Sequence, residues 1–211
     1  MTGPRADARA DDDALWQRQF ELQREAAAVR ADLDLDALCG SLGQPHLVGS
    51  AALGLMVWRD LDITVVCSHL DVAAVFDLGR QLASHARVRA LQFRNDTGAW
   101  NVDPTYPDGV YWAIDYRDAD RRWNIDMWFV DEPARQPDLA HLEVLQPRLD
   151  DNARRAILAI KDAWAGRPQY RKTVTSYDIY TAVLDDGVRS PSDFEAHLRR
   201  RQSLLGTPEG A

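Results

Sequence analysis

The segment His46–Val66, HLVGSAALGLMVWRDLDITVV, constrains this chain more than any other stretch. A short apolar run ends in Gly49-Ser50, and the β-branched run Ile63-Thr64-Val65-Val66 follows Asp60-Leu61-Asp62. Extended backbone turns alternate side chains to one face, so Asp60 and Asp62 project together while Leu61 and Ile63 turn away. The pattern predicts a strand at His46–Gly49, a short helix at Ala51–Met56 and a strand at Leu61–Cys67. Two neighbouring carboxylates repel each other, and a cation between them relieves the repulsion. Hard oxygen donors at that spacing suit Mg²⁺, while a Gly-Ser turn upstream offers N–H groups and a hydroxyl to phosphate oxygens. The combination reads as a site for a Mg²⁺-nucleoside triphosphate.

Around this segment the chain alternates helix and strand, then turns helical. Residues 1–13 are polar and are expected to be a disordered tail. A helix is predicted from Asp13 to Cys39, with Trp16, Phe20 and Ala27 on its apolar stripe and Gly40 and Gly43 ending it. Residues 71–85 read as a helix and Val88–Phe93 as a strand. The turn-rich stretch 94–109 reads as a long loop, followed by strands at Val110–Arg117 and Arg122–Val130. Past Pro133 the pattern gives helices at 137–146, 150–165, 176–186 and 191–203, with Pro147 and Gly166-Arg167-Pro168 at the joints. The expected division is a tail at 1–13, an α/β domain at 14–133 and a helical C-terminal lobe at 134–211.

Gly49-Ser50, with Asp60-x-Asp62 ten positions after Ser50 and flanked by apolar residues, resembles the signature of the polymerase-beta-like nucleotidyltransferase superfamily. The region from about 45 to 130 is similar to its minimal members, including the antibiotic nucleotidyltransferases. Arg59 departs from the pattern, since the residue before the first aspartate is often Ser in that family. The resemblance implies an α+β fold, with a mixed sheet flanked by helices and followed by a helical lobe. It also implies a third strand carboxylate, for which Asn124-Ile125-Asp126-Met127 is the natural match. The implied chemistry moves a nucleoside monophosphate from an NTP, ATP foremost, to a hydroxyl acceptor and releases pyrophosphate. Asp60, Asp62 and Asp126 would be the catalytic and Mg²⁺-binding carboxylates, and Gly49 and Ser50 would cradle phosphates.

Asp115 competes with Asp126 for the third place. If Arg117 and Arg121 flank a three-residue hairpin loop, Asp126 lies opposite Trp112 and the two aspartates point to opposite faces. Asp126 is then embedded among Ile125, Met127, Trp128 and Phe129, where an unpaired charge is costly, and Asp115 sits near the turn in reach of water. In the helical lobe, Lys161 reads either as a triphosphate contact or as a solvated helix lysine. Tyr177 and Tyr180, within Ser176-Tyr177-Asp178-Ile179-Tyr180, read as a base-stacking cluster or as core. Arg171 and Lys172 read as a solvated loop more readily than as a phosphate site. Of the seven tryptophans, Trp100 is the one placed to line a pocket.

Composition narrows the rest. No apolar run approaches a membrane span and no secretory h-region opens the chain, so a cytoplasmic protein without a membrane partner is expected. Five histidines show no zinc spacing, Cys39 and Cys67 read as core residues, and no Walker loop or dinucleotide fingerprint is present. The net charge of -8 disfavours a long polyanionic acceptor, although residues 152–201 carry ten Lys/Arg against six acids. A small hydroxyl-bearing acceptor is therefore preferred. The rivals are tRNA or protein as acceptor, a non-catalytic nucleotide binder, and a plain interaction domain.

Overall fold

The computed structural model describes residues 4–205, with side chains described for residues 12–203. Helix α1 spans Pro4–Asp32, and α2 spans Leu35–Gly40. The single predicted helix is thus broken, because Asp34 takes a left-handed conformation at φ 48° while Asp32 is drawn off to Tyr116 and Arg87. Helix α1 also begins well before Asp13. Residues 1–3 of the expected tail lie outside the described residues.

Strand β1 (Gly43–Val48) leads through α3 (Gly49–Leu53) into β2 (Asp60–Cys67). Helix α4 (Val72–Ala83) is capped by the Asp71 carboxylate, which accepts from the Ala73 and Ala74 amides. Then come β3 (Val88–Asp96), β4 (Gly109–Asp118) and β5 (Arg121–Val130). They form a five-stranded sheet ordered β1-β2-β5-β4-β3, in which β2 and β5 run parallel and the other pairs antiparallel. Strand β3 is longer than its apolar pattern, since Arg94, Asn95 and Asp96 still pair with Tyr111, Val110 and Gly109.

Alternation along the strands decides which face is covered. Leu61, Ile63 and Val65 of β2, Ile125, Met127 and Phe129 of β5, and Trp112 and Ile114 of β4 turn one way. They form one core with Leu22, Ala26 and Val29 of α1 and with Val75, Leu78 and Leu82 of α4. Gly79 lets the Trp112 indole lie against α4, and the indole nitrogen donates to the Val75 carbonyl at 3.0 Å. The other face of the sheet carries Asp60, Asp62, Asn124, Asp126, Trp128 and Tyr111.

Residues 20–147 form one compact unit, and the described residues up to Gln19 form the other with those from Arg148 on. The division falls after Pro147 rather than after 133 because α5 (Pro137–Leu145) packs on α3 and β1. The second unit holds α6 (Asp151–Trp164), α7 (Ser176–Leu184) and α8 (Pro191–Leu205). Asp150 caps α6, and Thr175 with Asp178 forms a capping box on α7. Among the described residues no helix is long and apolar enough to cross a membrane.

Candidate functional site

Parallel pairing of β2 with β5 sets the rows of the open sheet face. Asp62 lies opposite Asp126, and Asp60 lies opposite Asn124. Neighbouring strands are about 4.8 Å apart, so Asp62 and Asp126 stand side by side with Asp60 one row along. Asp60 is buried, its Oδ2 accepting from the Trp58 indole at 3.2 Å, and Asp62 and Asp126 are half-buried.

Gly49 closes this corner. Its φ is +61°, and a β-carbon there would lie 2.3 Å from Asp62 Oδ2, so the carboxylate packs directly on the β1–α3 turn. Ser50, the next residue, is half-buried on the same turn. Arg59, immediately before Asp60, turns to α1 and grips Glu25 through Nε at 2.7 Å and Nη2 at 3.2 Å. Hydrogen bonding from Arg59 holds the Glu25 carboxyl below its usual value. The Arg59 guanidinium is thereby engaged with α1.

The β4–β5 hairpin differs from its predicted register. Asp118 pairs with Arg121 and Arg117 with Arg122, so the loop is the two residues Ala119 and Asp120. Ala119 takes φ 54°, and Arg121 Nη2 meets Asp118 Oδ2 at 2.5 Å across the turn. Each position shifts by one, so Asp126 pairs with Ala113 and Asp115 with Asn124. Asp115 and Asp126 therefore share a face, against the expectation that they oppose each other.

What separates the two aspartates is their surroundings. Asp115 is held by Arg117 and Arg122, each at 3.2 Å, and hydrogen bonding from Arg117 draws its pKa down. Asp126 lies in Asp62's own row and accepts from the Tyr111 hydroxyl at 2.6 Å. Burial and then the Asp126 carboxylate push the Tyr111 pKa well up, with Asp62 adding to the effect, so the phenol stays protonated as a donor. Tyr111 was missed in the sequence because it shares Asp126's face only in the correct register.

Among the described residues no three His, Cys, Asp or Glu side chains are already gathered as a metal cluster. The donor chemistry nevertheless suits a hard cation. Asp62 and Asp126 stand in one row, Asp60 and Asp115 lie in the next, and no thiol or imidazole stands in either row.

No protein-family model and no curated protein sequence matches the chain. Solved structures do resemble it. The non canonical poly(A) polymerase complex GLD-2–GLD-3 matches at 14% identity and TM-score 0.53, over 90% of this chain and 64% of that one. Cid1 in complex with its short product ApU matches at 18% identity and TM-score 0.52, over 81% of this chain and 53% of that one. A Cid1 poly(U) polymerase variant bound to MgATP matches at 17% and TM-score 0.52, over 80% and 54%. The chain therefore shares the fold of these polymerase structures. The chain spans less than two thirds of the length of each of these three structures.

The remaining candidates, Lys161 and Tyr177, fall in the second unit. Lys161 is 1% exposed, which removes the solvated-lysine reading, and its ammonium donates to the Tyr180 hydroxyl at 3.2 Å. Tyr180 is buried, whereas Tyr177 stays 42% exposed one turn earlier on α7. Ser176 shares a 2.6 Å hydrogen bond with Tyr170. Both cysteines are buried free thiols, and burial pushes the Cys39 pKa up to about 12.

Proposed function

We propose that this protein is a Mg²⁺-dependent nucleotidyltransferase that moves a nucleoside monophosphate from an NTP to a hydroxyl-bearing acceptor, a small molecule rather than nucleic acid. The observation that carries the reading is the row Asp62–Asp126, with Asp60 beside it and Gly49 packed on the Asp62 carboxylate. The shared fold supports NTP chemistry in general. One of the similar structures, a Cid1 variant, is bound to MgATP.

Asp60, Asp62 and Asp126 would hold the divalent cation. When bound, it would offset the charge of the triphosphate and of the leaving pyrophosphate. The Gly49–Ser50 turn would position the phosphates, and Asp126 would accept the proton of the attacking hydroxyl. The acceptor oxygen forms a bond to the α-phosphorus, the α–β phosphoanhydride bond breaks, and pyrophosphate leaves with its electron pair. Tyr111 would hold Asp126 in place as a positioning residue.

Thermal unfolding with Mg²⁺ and ATP tests the reading. A ligand at 100 times its Kd stabilises by about 2.7 kcal/mol, and the native chain is expected to show a shift of that order. Asp60→Asn and Asp62→Asn should each remove the shift while leaving the far-ultraviolet dichroism unchanged. Full shifts in both variants would sink the metal assignment.

A further inference from the structure

Asp60 is the first residue of β2, and the sheet supports it on one side only. Pairing with β1 begins two residues later, where Asp62 lies opposite Val48, whereas Asp60 meets β5 alone through Asn124. Strand ends open more readily than the middle of a ladder. Asp62 and Asp126 have no such weakness, since each lies between two paired strands. We propose that Glu25 is a positioning residue for the cation site, its carboxylate holding Asp60 in place through Arg59. The inference rests on the nucleotidyl-transfer reading and adds a side chain of α1 to that site.

Neighbouring residues of a strand turn to opposite faces, so Arg59 leaves toward α1 as Asp60 turns to the open face. Glu25 accepts from Arg59 Nε at 2.7 Å and from Nη2 at 3.2 Å. Two contacts fix the plane of the guanidinium as well as its position. The Arg59 carbonyl accepts from the Asn124 amide at 3.3 Å, so the residue before Asp60 is tied to β5 as well. Side chain and backbone of Arg59 are thus both anchored next to the carboxylate. The Trp58 indole holds the carboxylate itself, donating to Asp60 Oδ2 at 3.2 Å.

Glu25 also faces Arg121, whose Nη1 lies 3.7 Å from Glu25 Oε1. Arg121 is the first residue of β5, the strand that carries Asp126. Asp60 pairs with Asn124, so Arg59 is level with Trp123, and Arg121 shares the face of both. One carboxylate of α1 therefore joins the openings of the two parallel strands from which Asp60, Asp62 and Asp126 rise. Glu25, Arg59, Asp60 and Arg121 all belong to the unit formed by residues 20–147.

Size separates this role from plain stabilisation. The Arg59 and Glu25 side chains stay 36% and 25% exposed, and a pair so solvated adds little to global folding. Groups that orient the ligands of a metal are worth about 10–100-fold in metal affinity.

The test is equilibrium titration of the full chain with Mn²⁺, a stand-in for Mg²⁺, following the free ion by its paramagnetic resonance signal. The binding that counts is the component Asp60→Asn removes. Arg59→Gln takes away a positive charge, which by charge alone would tighten a cation, whereas the positioning role predicts about tenfold weaker binding. Glu25→Gln should weaken Mn²⁺ by a similar factor, and the double variant by no more than either single, because the same grip is lost in each. Arg59→Lys keeps the charge without the two-point contact and should bind about threefold more weakly; it decides the matter if Arg59→Gln unfolds. Binding by Arg59→Gln or Arg59→Lys as tight as native or tighter, or losses that add in the double variant, would overturn the role of Glu25 and leave Asp60 as a ligand. No Mn²⁺ binding by the native chain, or none that Asp60→Asn removes, would sink the metal reading and this one together.

Discussion

Gly49 carries two constraints at once. Its φ of +61° is a conformation L side chains rarely adopt, and its missing β-carbon is the space taken by Asp62 Oδ2. Gly49→Ala should lower stability by about 1–2 kcal/mol in urea unfolding and displace the Asp62 carboxylate. Its Mg²⁺·ATP affinity should fall about tenfold, equivalent to one weakened charged contact. Unchanged affinity would mean that Asp62 does not bind nucleotide where Gly49 holds it. The shared face of Asp60 and Asp62 was legible in the sequence because a strand's period is fixed at two. The fate of Arg59 was not, because its partner Glu25 lies 34 positions earlier on another element.

Among the elements, the β4–β5 hairpin shows where sequence reading stops. Two-residue hairpin loops advertise themselves through Asn-Gly or Asp-Gly, and here the left-handed position is filled by Ala119. The Asp118–Arg121 ion pair across the turn could not be weighed without the register it helps to set. A slip of one residue turned Asp115 onto Asp126's face, so the parity argument for Asp126 fell while its row beside Asp62 gave a better one. Helix α4 was legible from its apolar period, but the role of Gly79 was not. A β-carbon there would lie 2.0 Å from the rigid Trp112 ring. Gly79→Ala should therefore destabilise the protein by about 1–3 kcal/mol in urea unfolding despite the better helix propensity of alanine. A neutral or stabilising result would show that the indole moves aside freely.

At the scale of the whole molecule, the α+β class, the mixed sheet and the C-terminal helices were readable from periodicity and from the resemblance. The division after Pro147 was not, because the polar stretch at 133–136 looks like a linker and α5 follows it onto α3 and β1. A cavity beside Trp128 was equally hidden, since its walls come from β3, β5, α5 and the 97–108 loop. The central claim is that the α-phosphorus of an NTP is the centre attacked. The direct measurement supplies ATP labelled at the α- or the γ-phosphate, with Mg²⁺ and separate acceptor pools of small molecules and RNA. The account predicts that α-label enters a new product of the small-molecule pool, that γ-label leaves only as pyrophosphate, and that Asp126→Asn binds ATP but transfers nothing. Appearance of γ-label in the product, release of orthophosphate, or undiminished transfer by Asp126→Asn would contradict it.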